Sequence, residues 1–555
     1  MTASTDEKEP GQAPAELTSN GNNGSPKPSA EHSEGVEPKG ERDVYVHPET
    51  TDALSPEHRE YLLQRHGTLE LDPIPGMGDA DPYNWTSSKK TINLILVAFH
   101  ACMSTFIAAS IIPAYQTMAK DLGRPLQDIT YLTSLQIAIL GVAPLIWKPI
   151  SHRYGRRPVF LLSLICALLG NIGCAKSPDY NSMSVCRAIV AFFISPPAAI
   201  GSAVVTETFF KKERARYMGI WTLLVTIGVP LSPFIFGFVA ERVGYRWIYW
   251  VLAIASAPFT FLLPSLTSLQ QTNGVQFILY LFFGPETRYI RTGVTHQGSD
   301  FKQEYFQFSR IDPSPITAYE FIQPLFLSSK LCILLPAIAY AMTFLFCSVL
   351  VTVELPQLFG EKFHFNEQQL GLQFLGIVIG SVIGEQLGGI LSDTWMNRRA
   401  KKIGRAPAPE FRLWLSYSGF GLAIIGMVVF LVRTAQAPDL HWNITPVIGI
   451  AFAGAGNQII TTVLITYAVD CHPKESASIG VFITFVRQIW GFIGPFWFPA
   501  MFEHAGVAAS AGVAAALIVG VGIFPTMLVH WRGPSFRKTG NEEDILQQGR
   551  ETSKV

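Results

Sequence analysis

The 555 residues are 48% apolar and only 15% charged, against the ~25% charge of an ordinary soluble domain, so the chain is expected within a lipid bilayer. Its 42 basic and 42 acidic residues cancel, which excludes a nucleic-acid surface built on bulk charge. Seven cysteines without CxxC spacing suggest neither a disulfide ladder nor a metal site, and no metal is expected.

Residues 1–85 are rich in Pro, Gly, Ser, Asn, Glu and Lys. They hold too little apolar surface to offset the entropy of ordering, and are expected to form a disordered cytoplasmic tail with at most a short helix over 47–65. The tail lacks a signal-peptide core, so the first spanning helix is expected to act as the insertion signal.

Apolar runs follow at 91–114, 129–147, 159–175, 183–205, 218–239 and 247–284. After a polar stretch they resume at 331–355, 370–391, 411–432, 444–468, 477–498 and 507–530. Most are close to the ~20 residues that cross a bilayer. The expected fold class is an all-α integral membrane protein of 12 transmembrane helices in two six-helix pseudo-repeats. One bundle is expected over 86–288, a central cytoplasmic loop over 289–330, a second bundle over 331–530 and a cytoplasmic tail over 531–555. The loops at 148–157, 211–216, 287–291 and 398–405, and the tail at 531–538, concentrate Lys and Arg, which places both termini in the cytoplasm.

The sixth run is too long for one crossing, and TSLQQTNG (267–274) interrupts it. Removing 257–273 joins WIYWVLAIAS to GVQFILYLFF, a single span of ~20 residues. The segment is read as an insertion, a retained intron translated in frame; the alternative is a genuine re-entrant or extracellular elaboration.

Between helices two and three stands KPISHRYGRR (148–157). Here the chain resembles the major facilitator superfamily, whose loop reads G-x-L-x-D-R-x-G-R-R. Arg153, Gly155, Arg156 and Arg157 fit; Lys148 replaces the Gly and His152 the Asp. The resemblance implies an inner gate latched by charge pairs, with His152 where the acid belongs. Gly389-Ile390-Leu391-Ser392-Asp393 repeats the motif's opening after helix eight with its acid intact, as a transporter of two related halves requires. In helix five, Gly228, Pro233 and Gly237 match the G-x-x-x-G-P-x-x-G-G motif of drug:proton antiporters, with Ser232 and Phe236 in place of glycines. GPETR (284–288) looks like the superfamily's ending of the first half.

Ionisable side chains inside spanning helices carry a functional expectation. Glu385, His100, Arg187 and Arg487 are therefore the proton-coupling candidates. A structural pair at the inner gate is the alternative for Glu385, and a hydrogen-bonded helix contact for His100. Arg187 is expected to face the cavity or to snorkel outward. Glu207 and Asp470 suit charge pairing at helix ends, and Glu354 is read as surface. Ser195-Pro196-Pro197 and Gly494-Pro495 should bend their helices. Gln136, Trp221, Tyr340, Asn457, Gln458 and Trp490 are the substrate-cavity candidates.

No catalytic constellation or phosphate-binding loop stands out, so neither an enzyme nor ATP coupling is expected. Over about 85–538 the chain resembles fungal drug:proton antiporters with twelve spanning helices. That resemblance implies a monomeric secondary transporter of the plasma membrane. It would export small amphipathic organic molecules (a drug, toxin or fungal secondary metabolite) by proton-coupled alternating access. Lipid, substrate and protons are its expected partners, without nucleic acid and without a cofactor beyond the proton gradient. The alternatives are a proton-coupled importer of small organic cations or nutrients, and a transporter-like membrane sensor.

Overall fold

The computed structural model describes residues 54–69, 71–253, 273–290, 299–404, 407–472 and 475–537. Every regular element among them is helical. Among the described residues, eleven helices are long and apolar enough to cross a bilayer. Helices one to five are Ser87–Leu122, Leu126–Tyr154, Arg156–Lys176, Tyr180–Thr208 and Arg216–Val243. Helices seven to twelve are Leu331–Phe363, Glu367–Ile403, Pro409–Gln436, Thr445–Cys471, Ser476–Phe496 and Val507–Arg537.

Helix six comes in two pieces, Arg246–Ala253 and Asn273–Phe283. Both pack along helix three, and a Cβ on Gly274 would lie 3.2 Å from the Ala253 carbonyl oxygen. The pieces therefore stack end to end, and their combined length suits one crossing at 1.5 Å per residue. Residues 257–272 of the suspected insertion lie outside the described residues. Asn273, at the junction, is buried with neither amide atom hydrogen-bonded among the described residues.

The packing repeats with a shift of six helices. Helix one packs on helix five and seven on eleven; three packs on six and nine on twelve; one packs on four and seven on ten. The two halves meet through helices two and eleven and through five and eight, pairs that the same shift interchanges. Close packing without a hydrophobic driving force favours small residues. Gly376, Gly380 and Gly384 accordingly lay one stripe of helix eight against Val447, Ala451 and Ala455 of helix ten.

Helices four and eleven are broken where their sequence demands it, and helix seven changes its winding. Helix four divides at Ser195 because Pro196 and Pro197 open its second piece. Helix eleven ends in a tight turn at Gly494–Phe496. Helix seven, with Pro336 and Pro356 in its two α-helical stretches, carries a π-helical turn over Leu345–Leu350.

The chain departs from expectation before helix one. A short helix was expected over 47–65, and Pro56–His66 is one, capped by Ser55; the other described residues of 54–85, expected within the disordered tail, are packed instead. Leu54, Leu62 and Ile74 form a small core, and Tyr83 stacks on Phe210 between helices four and five. A few apolar anchors and an N-cap suffice because the membrane bundle supplies the surface they fold against.

Candidate functional site

A cavity of about 60 Å³ lies between the halves and is lined from both. Ile112, Ile137, Leu140 and Val229 of the first half form an apolar wall, softened by Thr105, Thr133 and Thr226. The second half contributes Tyr340, Phe344, Ser348, Thr352, Ser381, Asn457, Gln458, Arg487 and Gln488. Phe344, Ser348 and Thr352 project from or beside the π-helical turn of helix seven, an irregularity that often marks functional sites.

Arg487 is the charged side chain of this lining. Its Nη1 donates to the Tyr340 hydroxyl at 2.9 Å, and its guanidinium lies 4.7 Å from the Phe344 ring centre. Gln458 connects the cavity to Glu385. Its Nε2 donates to Glu385 Oε2 at 3.1 Å, while Thr462 donates to the same oxygen at 3.3 Å. Asn457 Nδ2 in turn donates to Gln458 Oε1 at 3.4 Å. Glu385 is thus a buried carboxyl one amide behind the cavity wall, not in the wall itself.

The other sequence candidates lie elsewhere. His100 is fully buried in the first half, 3.1 Å from Ser163 and edge-on to Phe160 and Tyr280. Arg187 neither lines the cavity nor snorkels. It is fully buried, and its guanidinium donates to the Tyr249 hydroxyl, the Gln136 amide oxygen and the carbonyls of Leu132 and Ala108. Gln136 is therefore committed to Arg187. Trp221 packs by Leu94, Val205 and Phe209 across from Gly201, and Trp490 packs against the core outside the lining.

Glu354 differs most from its sequence reading. It is 2% exposed, and Oε1 has no hydrogen-bond partner among the described residues. Position in the helix suggested surface; the packing of helix seven against helix eight and the end of helix one buries it. Ser348, Thr352, Ser381 and Gln488 were also missed, because a scan for charges passes over neutral polar residues.

The end of the molecule bearing the basic loops is held by charge. Arg153 pairs with Asp312 at 3.1 Å and Glu320 at 2.7 Å, both in the central segment, and Arg156 pairs with Glu207 at 2.7 Å. Lys148 crosses between halves to Ser478 at 2.6 Å. His152 makes no hydrogen bond among the described residues and sits amid Lys148, Arg153, Arg156 and Arg288. In the second half, Arg412 ties Asp393 at 3.2 Å and Asp470 at 3.5 Å, while Gly389 meets no neighbour.

At the opposite end the halves touch directly. Gln127 donates to the Pro495 carbonyl at 2.7 Å, Tyr131 stacks on Phe496, and Glu241 accepts the Glu367 backbone N–H at 3.2 Å. Only the later part of the helix-five motif sits along these contacts. Gly228 admits Thr105 and the Cys102 carbonyl of helix one, and Gly237 lies against the Glu367 carbonyl and Gly371 of helix eight, whose own approach is to the Pro233 carbonyl.

A sequence profile of the Major Facilitator Superfamily matches residues 94–495. The chain belongs to this superfamily. It is a membrane transporter, and the halves, their basic loops and the cavity between them are the superfamily's architecture in this sequence. "MFS transporter cpaT" of Aspergillus oryzae is 26% identical over 464 residues, covering 81% of this chain and 88% of that protein. "Efflux pump radE" of Floropilus chiversii is 24% identical over 460 residues, 81% of this chain and 82% of that one. The crystal structure of the human organic anion transporter MFSD10 (TETRAN) superposes with a TM-score of 0.51 at 14% identity, over 79% of this chain and 99% of that one. At that identity the likeness concerns the fold alone. Among the described residues no group of three or more His, Cys, Asp or Glu gathers to hold a metal ion.

Proposed function

We propose that this transporter exports small amphipathic organic molecules from the cytoplasm across the plasma membrane, driven by protons entering through Glu385. The observation that carries the reading is the hydrogen bond from Gln458, a cavity residue, to the buried Glu385 carboxyl. A carboxylate there accepts two donors; once protonated it gains an O–H donor, which the Gln458 amide meets by turning its oxygen toward it or the Thr462 hydroxyl meets by accepting. By the first route proton uptake changes the polarity that Gln458 presents to a bound molecule, which is the kind of link alternating access requires. The basic end is then cytoplasmic, and both termini with it. A relative named as an efflux pump supports the outward direction.

Everted vesicles carrying the full chain test the reading. A pH gradient is expected to drive accumulation of an amphipathic probe by the unmodified chain and not by Glu385→Gln. Equal gradient-driven flux in both removes Glu385 from the mechanism, and flux indifferent to the gradient removes proton coupling.

A further inference from the structure

Several buried or half-buried arginines of this protein meet a carboxylate, among them Arg153, Arg156, Arg412 and Arg537. Arg187 has none, but carbonyl, amide and hydroxyl oxygens surround it. Arg487 has only the Tyr340 hydroxyl and the faces of the Tyr340 and Phe344 rings. No carboxylate lies within ion-pair distance of it among the described residues, and its hydrogen bond goes to a neutral phenol; its buried Nε has no acceptor, as in Arg153, Arg412 and Arg537. A guanidinium stays charged under all conditions the protein meets, and one flat edge of it suits a carboxylate.

We infer that the cavity is built for small organic monoanions, a carboxylate carried on an apolar or aromatic body. This rests on the reading of the cavity as the transport site. The carboxylate pairs with Arg487, on the second-half wall. The body lies against Ile112, Ile137, Leu140 and Val229 on the first-half wall and against Phe344. Such a ligand touches both halves at once. A cation is disfavoured, because the lining has a positive charge and no carboxylate; Glu385 stands behind Gln458. A neutral molecule leaves Arg487 unanswered. One cation in the lining matches one negative charge.

The test uses the purified full chain in lipid nanodiscs with three fluorescent probes of one body: naphthoate, its methyl ester, and naphthylmethylamine. Naphthoate is expected to bind about tenfold or more tighter than the ester, the range for a charge-assisted pair. Arg487→Gln is expected to collapse that ratio toward one, and Arg487→Lys to restore part of it, in chains with matching thermal unfolding. Equal binding of naphthoate and ester by the unmodified chain overturns the inference, as does a preference that survives in Arg487→Gln. Gradient-driven flux of the ester or amine without a naphthoate preference would sink this inference and leave proton-coupled export standing. A naphthoate preference with no gradient-driven flux would do the reverse.

Discussion

Arg157 and Glu286 hold each other's helices. The Glu286 carboxylate accepts the Arg157 backbone N–H at 2.9 Å, and that of Arg156 at 2.8 Å, closing the N-terminus of helix three. The Arg157 guanidinium returns the favour, donating to the Tyr280, Leu281 and Gly284 carbonyls at the end of helix six. Each supplies what the other helix's end lacks: an acceptor for free N–H groups, donors for free carbonyls.

Replacing Glu286 by Gln turns one acceptor oxygen into a donor facing a donor. We expect a loss of about 1–3 kcal/mol in stability. Gly155→Ala should do at least as much harm, since its φ is +96° and a Cβ there would run into the Glu286 carboxylate. Thermal unfolding of the purified chains checks both; an unchanged midpoint for either would show that the clasp contributes nothing.

Gln458→Leu is expected to uncouple rather than inactivate. It removes the amide between the cavity and Glu385 but leaves Arg487, so substrate exchange at equal pH should persist while gradient-driven accumulation falls by about tenfold. Measuring both fluxes in the same vesicles separates the two effects.

The Lys148 to Ser478 contact bridges the halves at the basic end, whereas the exposed Asp393 makes a pair of the kind worth under ~1 kcal/mol. Lys148→Ala should therefore shift the conformational balance more than Asp393→Asn, which in turn should exceed His152→Asn. Cys347, in the cavity wall, reports this in a chain stripped of its other cysteines. Its maleimide labelling from the basic side should rise most in Lys148→Ala and least in His152→Asn, and a reversed order would make His152 a working latch.

A chain lacking 257–273 is expected to fold at least as stably as the full one, because Ala253 already adjoins Gly274 and both pieces of helix six pack on helix three. Loss of membrane-inserted protein on deletion would show that the segment belongs to the fold.

If substrates are monoanions and one proton enters per molecule exported, two positive charges move inward per cycle. Each is worth about 2.3 kcal/mol per 100 mV. Export of naphthoate should then respond to an imposed potassium diffusion potential about twice as steeply, on a logarithmic scale of accumulation, as export of its neutral ester.

The sequence by itself determined the helix count, the two halves and the basic end, because lipid tolerates neither charge nor unpaired backbone and so writes spans and loops directly into composition. It also marked the bends at Pro196 and Gly494, where covalent geometry leaves the helix no choice. It singled out Glu385, Arg187 and Arg487 as costly charges, yet treated the three alike. Which of them faces a cavity depends on the rotation of each helix against its neighbours, and that is set by packing among residues far apart in the chain. Only the tertiary structure separated the enclosed Arg187 from the cavity-lining Arg487, carried Glu385 one amide behind the wall, and moved Glu354 from supposed surface into the interior.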